Sequence, residues 1–373
     1  MDLPAKKLGF GLMRLPKNDN KIDIEQVKEM VDIYMNAGFT YFDTAWAYNG
    51  SEIAMREALV KRYPRESFTV ATKMSAWAGE KTREFSLRQF ETSLEQTGAG
   101  YFDYYLLHNL GDARTPLYDD FGLWDFVKEK KAKGEIRNYG FSFHSNAAAL
   151  DKVLASHPDV DFVQLQINYA DWEDGRVQSR ECYETARKYG VPVVVMEPVK
   201  GGLLADPPAS VAEVFKSADP DASFASWAIR FVASLEGVAV VLSGMSTVDQ
   251  VKDNVSFMAD FKPLDEEEQK IIEKARIALK SIPTVPCTGC NYCAEVCPSE
   301  IGISPTLNAL NMFAMYNNKQ FARAYESRQL FINKKNHADM CIQCGSCESV
   351  CPQHINIREH LERACSVLGP FDK

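Results

Sequence analysis

The chain has 373 residues, 46% of them hydrophobic and 25% charged, with a formal net charge of -9. That length allows one large domain plus a small one, or two of medium size, with the composition of a globular protein in water. The acidic balance argues against nucleic acid and anionic membrane as partners. No run approaches the ~18 apolar residues of a membrane span, and MDLPAKKLGF lacks an apolar signal core, so a cytoplasmic location is expected.

Up to about residue 260, short β-branched or aromatic runs alternate with longer amphipathic stretches. Eight runs read as strands: Lys7 to Leu12, Tyr41 to Thr44, Phe68 to Lys73, Tyr104 to His108, Asn138 to Phe143, Phe162 to Asn168, Pro192 to Met196 and Ala239 to Ser243. Between them lie helical segments such as Ile24 to Ala37, with Val27, Met30, Val31 and Tyr34 at helical spacing. Strand then helix, eight times, predicts an α/β fold with parallel strands closed into a (β/α)8 TIM barrel. An open doubly wound sheet is the competing topology, and no G-x-G-x-x-G follows the first strand.

In such a barrel the C-terminal strand ends carry the chemistry. Asp43 stands inside the apolar run YFDTAWAY, where an unpaired carboxylate would cost several kcal/mol. Lys73, closing FTVATK, is its candidate cation, and His108 closes YYLLH in the same way. Tyr48 follows in the loop after the second strand. Trp46, Trp77 and Trp172, each in a loop after a strand, are candidate walls of a substrate pocket. No cluster of arginines asks for a phosphorylated substrate, and the substrate itself is not legible.

A helix is expected from Asp265, an N-cap followed by Glu266, Glu267 and Glu268, to about Lys280. Pro283 and Pro286 then form a linker, which sets the expected domains at 1–282 and 283–373. Of ten cysteines only Cys182 precedes residue 287. Cys287, Cys290, Cys293 and Cys297 precede Pro298; Cys341, Cys344, Cys347 and Cys351 precede Pro352. Both blocks read C-x2-C-x2-C-x3-C-P, which suits two 4Fe-4S clusters better than a disulfide scaffold or zinc. Cys182 and Cys365 fall on helical segments and read as plain buried residues. Between the blocks Ser304-Pro305 starts one helix and Phe321 and Tyr325 mark another, so the small domain resembles a mainly helical ferredoxin. In ferredoxins the fourth cysteine crosses over, which assigns Cys287, Cys290, Cys293 and Cys351 to one cluster and Cys341, Cys344, Cys347 and Cys297 to the other.

The first 260 residues resemble the aldo-keto reductase superfamily. The matching residues are GFGLMRLP, FDTAWAY with Asp43 and Tyr48, ATK with Lys73, LLH with His108, GEIRNYGFS ending at Ser142, Gln164 in FVQLQINY, EPVKGGLL, and SGMSTVDQVKDN. With the cysteine blocks, the whole chain looks like the iron-sulfur branch of that superfamily. The resemblance implies an NAD(P)H-dependent oxidoreductase that reduces a carbonyl or oxidises an alcohol. Tyr48 would be the general acid, its phenol pKa lowered by Lys73, with Asp43 fixing Lys73 and His108 polarising the carbonyl. It further implies Ser142 and Gln164 on the nicotinamide carboxamide, Met196 where an aromatic usually stacks on the ring, and Gly244, Met245, Ser246, Gln250, Asp253 and Asn254 around the adenosine half. Phe143 and His144 stand where Asn-Phe is common, and Gly244 and Gln250 where NADPH-specialised members carry cations, so NADH and NADPH both stay open.

Hydride is a two-electron donor and a cubane cluster a one-electron acceptor, so direct exchange between the two centres is unfavourable without a flavin or similar splitter. No flavin motif is visible, although barrel loops can bind flavin without one. Three functions therefore stand: a nicotinamide-dependent reductase with structural, regulatory or externally linked clusters, an electron-transfer protein feeding a redox partner, and non-redox carbonyl chemistry in the barrel.

Overall fold

The computed structural model describes residues 4–369. Eight parallel strands close into one barrel: β1 (Leu8–Gly11), β2 (Tyr41–Asp43), β3 (Thr69–Met74), β4 (Phe102–Leu110), β5 (Ile136–Phe143), β6 (Phe162–Gln166), β7 (Val193–Met196) and β8 (Val238–Ser243). Each strand pairs with its sequence neighbours, and β1 closes the ring against β8 through Leu8 to Val241 and Phe10 to Ser243. The strands expected from the apolar runs are all present, and the barrel is the fold predicted.

Helices follow the strands as the periodicity requires. The first, Ile24–Asn36, buries Val27, Met30, Val31 and Tyr34, and Asp23 caps it by accepting from the Gln26 amide at 3.1 Å. The Tyr34 hydroxyl donates to Leu8 O at 2.7 Å and lies 2.9 Å from Tyr41 O, pinning β1 and β2. The helix Glu266–Lys280 begins with a reciprocal cap: Glu268 N donates to Asp265 Oδ1 at 2.9 Å, and Asp265 N to Glu268 Oε2 at 3.0 Å.

Strand alternation decides which side chains face the barrel interior. Tyr41, Ala71, Tyr104, Leu106, Phe162, Val194, Val240 and Leu242 form that inner layer, with the Tyr41 and Tyr104 rings 4.9 Å apart. Gly140 of β5 admits no side chain, because a Cβ there would collide with the Phe162 carbonyl. Two residues further along each strand the same inward face carries Asp43, Lys73, Ser142, Gln164 and Met196, and His108 follows Leu106 on β4. The mouth thus inherits its polar set from the register of the core beneath it.

The described chain forms two compact units. One runs to Ala205 and resumes over Asp219–Ile272; the other comprises Asp206–Ala218 and the chain from Glu273. In the second unit the helices Ile303–Tyr316, Lys319–Asn333 and Ile357–Leu368 carry the fold, over a core of Ile301, Ile303, Leu307, Leu310, Ile355, Ile357 and Leu361. Left-handed backbone recurs at matching places of the two cysteine blocks: Gly289 and Gln343, Asn291 and Gly345, Glu300 and His354. The two loops are copies of one turn. Among the described residues no helix is long and apolar enough to cross a membrane.

Candidate active site and cysteine cavities

At the barrel mouth Lys73 Nζ donates to Asp43 Oδ1 at 2.6 Å and to Thr44 O at 2.7 Å. Lys73 is fully buried and Asp43 nearly so. Burial pushes the Asp43 carboxyl up and the Lys73 ammonium down, and each is held charged by the other. Gln164 Nε2 donates to Asp43 Oδ2 at 3.3 Å, so the carboxylate is gripped from two strands.

Tyr48 occupies the turn after β2, its amide donating to Ala45 O at 2.9 Å. Its ring lies under Lys73 Nζ, 5.1 Å from the centroid, and edge-on to the His108 imidazole at 5.7 Å. The phenol pKa is raised, not lowered as the resemblance implied: burial acts first, then the charges of Asp43 and Glu197, and Arg14 offsets only part. The Lys73 ammonium spends its hydrogen bonds on Asp43 and Thr44 and makes none to the phenol.

His108 is held neutral, pushed well below the usual imidazole range by burial and then by Lys73, His144 and Arg114. Its Nδ1 lies 2.9 Å from Ser75 Oγ, which leaves Nε2 for the pocket. Its carbonyl accepts from Trp77 Nε1 at 2.9 Å and from the Tyr118 hydroxyl. Asn109, directly after His108, and Glu197, directly after Met196, both adopt left-handed backbone without being glycine, a strain concentrated at strand ends of the mouth. Sequence reasoning missed Ser75, which directly follows β3 two residues after Lys73. It also missed Arg114, whose guanidinium stacks on Trp77 at 4.6 Å, and the Arg14–Glu197 pair at 3.5 Å.

The expected cofactor residues divide. Ser142 and Gln164 are register partners on β5 and β6, buried beside Asp43, and Met196 caps the inner layer. The Met245 side chain is buried in the outer core. Asn254 is turned inward and donates to Ser243 Oγ at 2.6 Å. Gln250 Oε1 accepts from Ser246 N at 2.7 Å, and Thr247 caps the helix Val248–Met258. Ser246 Oγ donates to Arg14 O at 2.6 Å, and Asp253 accepts from Ser223 Oγ at 2.8 Å. Gly244 stays exposed at that turn.

The tryptophans divide as well. Trp77 lies against His108, ring to ring at 5.7 Å, and Trp46 is two residues from Tyr48 with its ring edge-on to Phe85. Trp172 packs on Tyr183 at 5.7 Å and Phe231 at 5.6 Å, two residues of the helical layer.

In the second unit two cavities each gather four cysteines. Cys287, Cys290, Cys293 and Cys351 line one, with Leu307, Ile355 and Ile357; Cys297, Cys341, Cys344 and Cys347 line the other, with Ile301, Ile303 and Leu361. Each takes three cysteines from one block and the fourth from the other. Burial and then the neighbouring thiols push Cys293 up to about 11. Four cysteines converging on one cavity, three from one block and one from the other, is the ligand set a cubane iron-sulfur cluster takes, each thiol giving up its proton to bind iron.

Residues 7–277 match the model of the aldo/keto reductase family, and residues 286–355 that of a 4Fe-4S dicluster domain. The aldo-keto reductase str7 of Strobilurus tenacellus is 30% identical over 225 residues, 55% of this chain and 63% of that protein, so the chain spans less than two thirds of that relative. The uncharacterized oxidoreductase YqkF of Bacillus subtilis is 23% identical over 73% of this chain and 93% of its own length. Among solved structures, the holo form of aldo-keto reductase AKR11C1 from Bacillus halodurans is 26% identical with a TM-score of 0.59, covering 74% of this chain and 95% of that one. An aldo-keto reductase from Klebsiella pneumoniae, in complex with NADPH, is 20% identical with a TM-score of 0.58 over 72% and 90%, a likeness of fold alone. A family match across this much of the chain, on a closed eight-stranded barrel with Asp43, Lys73, Tyr48 and His108 at its mouth, settles the family: the chain belongs to the aldo/keto reductases and carries a 4Fe-4S dicluster domain after its barrel.

Proposed function

We propose that the barrel reduces a small carbonyl compound with NADH or NADPH, Tyr48 giving the proton. The observation that carries this reading is the buried Asp43–Lys73 pair, its ammonium over the Tyr48 ring, with the His108 imidazole edge-on to the phenol. The nicotinamide fits the residues at the mouth by complementarity of donors. Ser142 Oγ accepts from Asn109 N at 2.7 Å, which directs its own proton elsewhere, to a carboxamide oxygen. Gln164 commits Nε2 to Asp43, which directs Oε1 to a carboxamide N–H. When bound, a reduced nicotinamide supplies hydride.

The protein's own part is to bind, orient and protonate. In this reading the Ser75 hydroxyl, 2.9 Å from Nδ1, donates to it, and neutral His108 carries its proton on Nε2 and donates a hydrogen bond to the carbonyl oxygen. Ser75 then acts as a positioning residue that holds the imidazole. Its own backbone is clamped, Ser75 N donating to Gln89 Oε1 at 2.8 Å and Ser75 O accepting from Gln89 Nε2 at 3.1 Å. As charge grows on the oxygen its basicity overtakes that of the phenolate, and the Tyr48 proton moves to it. The phenolate that remains is stabilised by the Lys73 ammonium beside it until a solvent proton restores it. A raised phenol pKa keeps Tyr48 loaded as a donor, which favours reduction over alcohol oxidation.

The cysteine cavities support the assignment of Cys287, Cys290, Cys293 and Cys351 to one cluster and Cys297, Cys341, Cys344 and Cys347 to the other. Such clusters supply one-electron transfer. Exposure of Cys290 and Cys344 favours exchange with an external redox partner over burial as purely structural staples. The test of the barrel reading is nicotinamide oxidation by anaerobically prepared protein with a panel of aldehydes: the wild type turns over, and Tyr48→Phe binds cofactor but does not. Full activity in Tyr48→Phe removes the reading.

A further inference from the structure

The two cysteine cavities repeat one another residue for residue. When the first block is laid on the second, Cys287 on Cys341, every residue lining one cavity falls on a residue lining its twin. The helices that close the two cavities start at the matching Ile303 and Ile357 and send down the matching Leu307 and Leu361. Four matched pairs differ: Thr288 and Ile342, Asn291 and Gly345, Gln353 and Ser299, Ser304 and Arg358. Only the last puts a charge in a cavity wall. Arg358 is fixed there by partners of its own. Its Nε donates to Glu348 Oε2 at 3.0 Å, Nη2 lies 2.8 Å from the same oxygen, and Nη1 donates to Gln343 O at 3.2 Å. Gln343 precedes Cys344 and Gly345 follows it, and a Cβ at Gly345 would stand 3.6 Å from the guanidinium carbon. The cation therefore brackets Cys344, an exposed cysteine of the cavity. Arg358 lines the cavity and Glu348 does not, so the pair turns its positive end to the cysteines. The twin has no such pair, because Ala294 and Ser304 hold the matching positions.

We infer that Arg358 sets the two clusters apart in potential: it holds the cluster of Cys297, Cys341, Cys344 and Cys347 above its twin, and the protein takes up its first electron there. This rests on the crossed ligand assignment. The step adds one electron, from a low-potential one-electron donor, to one cluster, and no bond is made or broken. A cubane held by four thiolates is negatively charged and becomes more so on reduction, so a neighbouring cation favours the reduced form. The guanidinium acts here as a charge and needs no free N–H. Its side chain is 42% exposed, so water screens it and the effect is modest. A unit charge several ångström away in a largely aqueous dielectric shifts the reduction equilibrium about threefold, which is about 28 mV for one electron. The other three differences exchange neutral side chains, whose dipoles fade faster with distance than a charge does.

The test is a potentiometric titration of the anaerobic holoprotein with dithionite, followed by EPR, with iron counted in every sample. The wild type shows two unequal midpoints. Arg358→Gln lowers the upper one by about 28 mV and leaves the lower in place. Glu348→Gln, which strips the cation of its counter-charge, raises the upper midpoint. Ser304→Arg, which builds the missing cation into the twin, raises the lower one. Equal midpoints in the wild type, or an upper midpoint unmoved in Arg358→Gln at full iron, overturn the inference. Where Arg358→Gln binds less iron, Ser304→Arg decides alone, and a lower midpoint that stays in place overturns it. Failure of the crossed assignment is seen separately, as iron lost block by block in the cysteine variants, and leaves the Arg358 shift readable. Protein that binds no iron sinks the cluster reading and this inference with it.

Discussion

Ser75→Ala removes one oxygen atom and tests how the site sets its own proton inventory. The contact is 2.9 Å, with Ser75 fully buried and His108 7% exposed, so no bulk water replaces the hydroxyl. A neutral hydrogen bond lost in such a place, with the partner left unsatisfied, costs about 1–3 kcal/mol. On the proposed reading Ser75 donates to Nδ1, and the part of that energy that its removal takes from the Nε2-protonated form is tautomer bias. Loss of about 1.4 kcal/mol of bias is tenfold in the populations. The expected result is therefore a fall in kcat of about tenfold with KM little changed, and recovery of most of it in Ser75→Thr, which keeps the hydroxyl. The imidazole resonances of isotope-labelled histidine report the same change directly: the Nε2–H tautomer dominates in the wild type and gives way in Ser75→Ala. An unchanged tautomer together with unchanged kcat in Ser75→Ala refutes the role.

Three other outcomes follow from the same geometry. Because the Tyr48 phenol lies above its ordinary value through burial, Asp43 and Glu197, it stays protonated where a free phenol, near pKa 10, would be ionising. Reduction should hold level from neutral into alkaline solution while alcohol oxidation, which needs the phenolate, keeps climbing; a reduction rate already falling by about pH 8 contradicts the shift. Asp43→Asn leaves the Lys73 ammonium buried with only the Thr44 carbonyl and should cost about 3–5 kcal/mol in urea unfolding, much of it restored when Lys73→Met is added; additive losses in the double variant speak against a coupled pair. Cys287→Ser and Cys351→Ser, from different blocks, should each remove the same half of the iron, and their combination no more, whereas Cys287→Ser with Cys297→Ser should remove both clusters. Iron lost block by block would overturn the crossed assignment.

The fold was legible because its signals are periodic. Eight apolar runs, each ending in turn residues, leave little besides a closed parallel barrel, and two cysteine blocks of identical spacing leave little besides paired clusters. The catalytic set was legible for a related reason: Asp43, Lys73 and His108 are polar residues at the ends of buried strands, where burial makes each of them conspicuous. What stayed hidden depends on where side chains point once the helices are in place. Met245 looks like part of a phosphate loop, but it is buried in the outer core. Trp172 follows a strand as Trp46 and Trp77 do, yet its ring turns to Tyr183 and Phe231. Ser75 looked unremarkable because it lies just past the strand end, where alternation no longer says which way a side chain turns. The rise of the Tyr48 pKa was illegible because it depends first on how deeply the folded loop buries the phenol and then on the approach of Asp43 and Glu197.

One measurement bears most directly on the claim that the barrel couples hydride to the Tyr48 proton. Nicotinamide cofactor deuterated at its transferable position is mixed, without oxygen, with the holoprotein and an aldehyde, and the alcohol is analysed by mass spectrometry. The account predicts one deuterium in each product molecule with the wild type and no product with Tyr48→Phe, which still binds the cofactor. Product without the label, or labelled product formed at the wild-type rate by Tyr48→Phe, contradicts it.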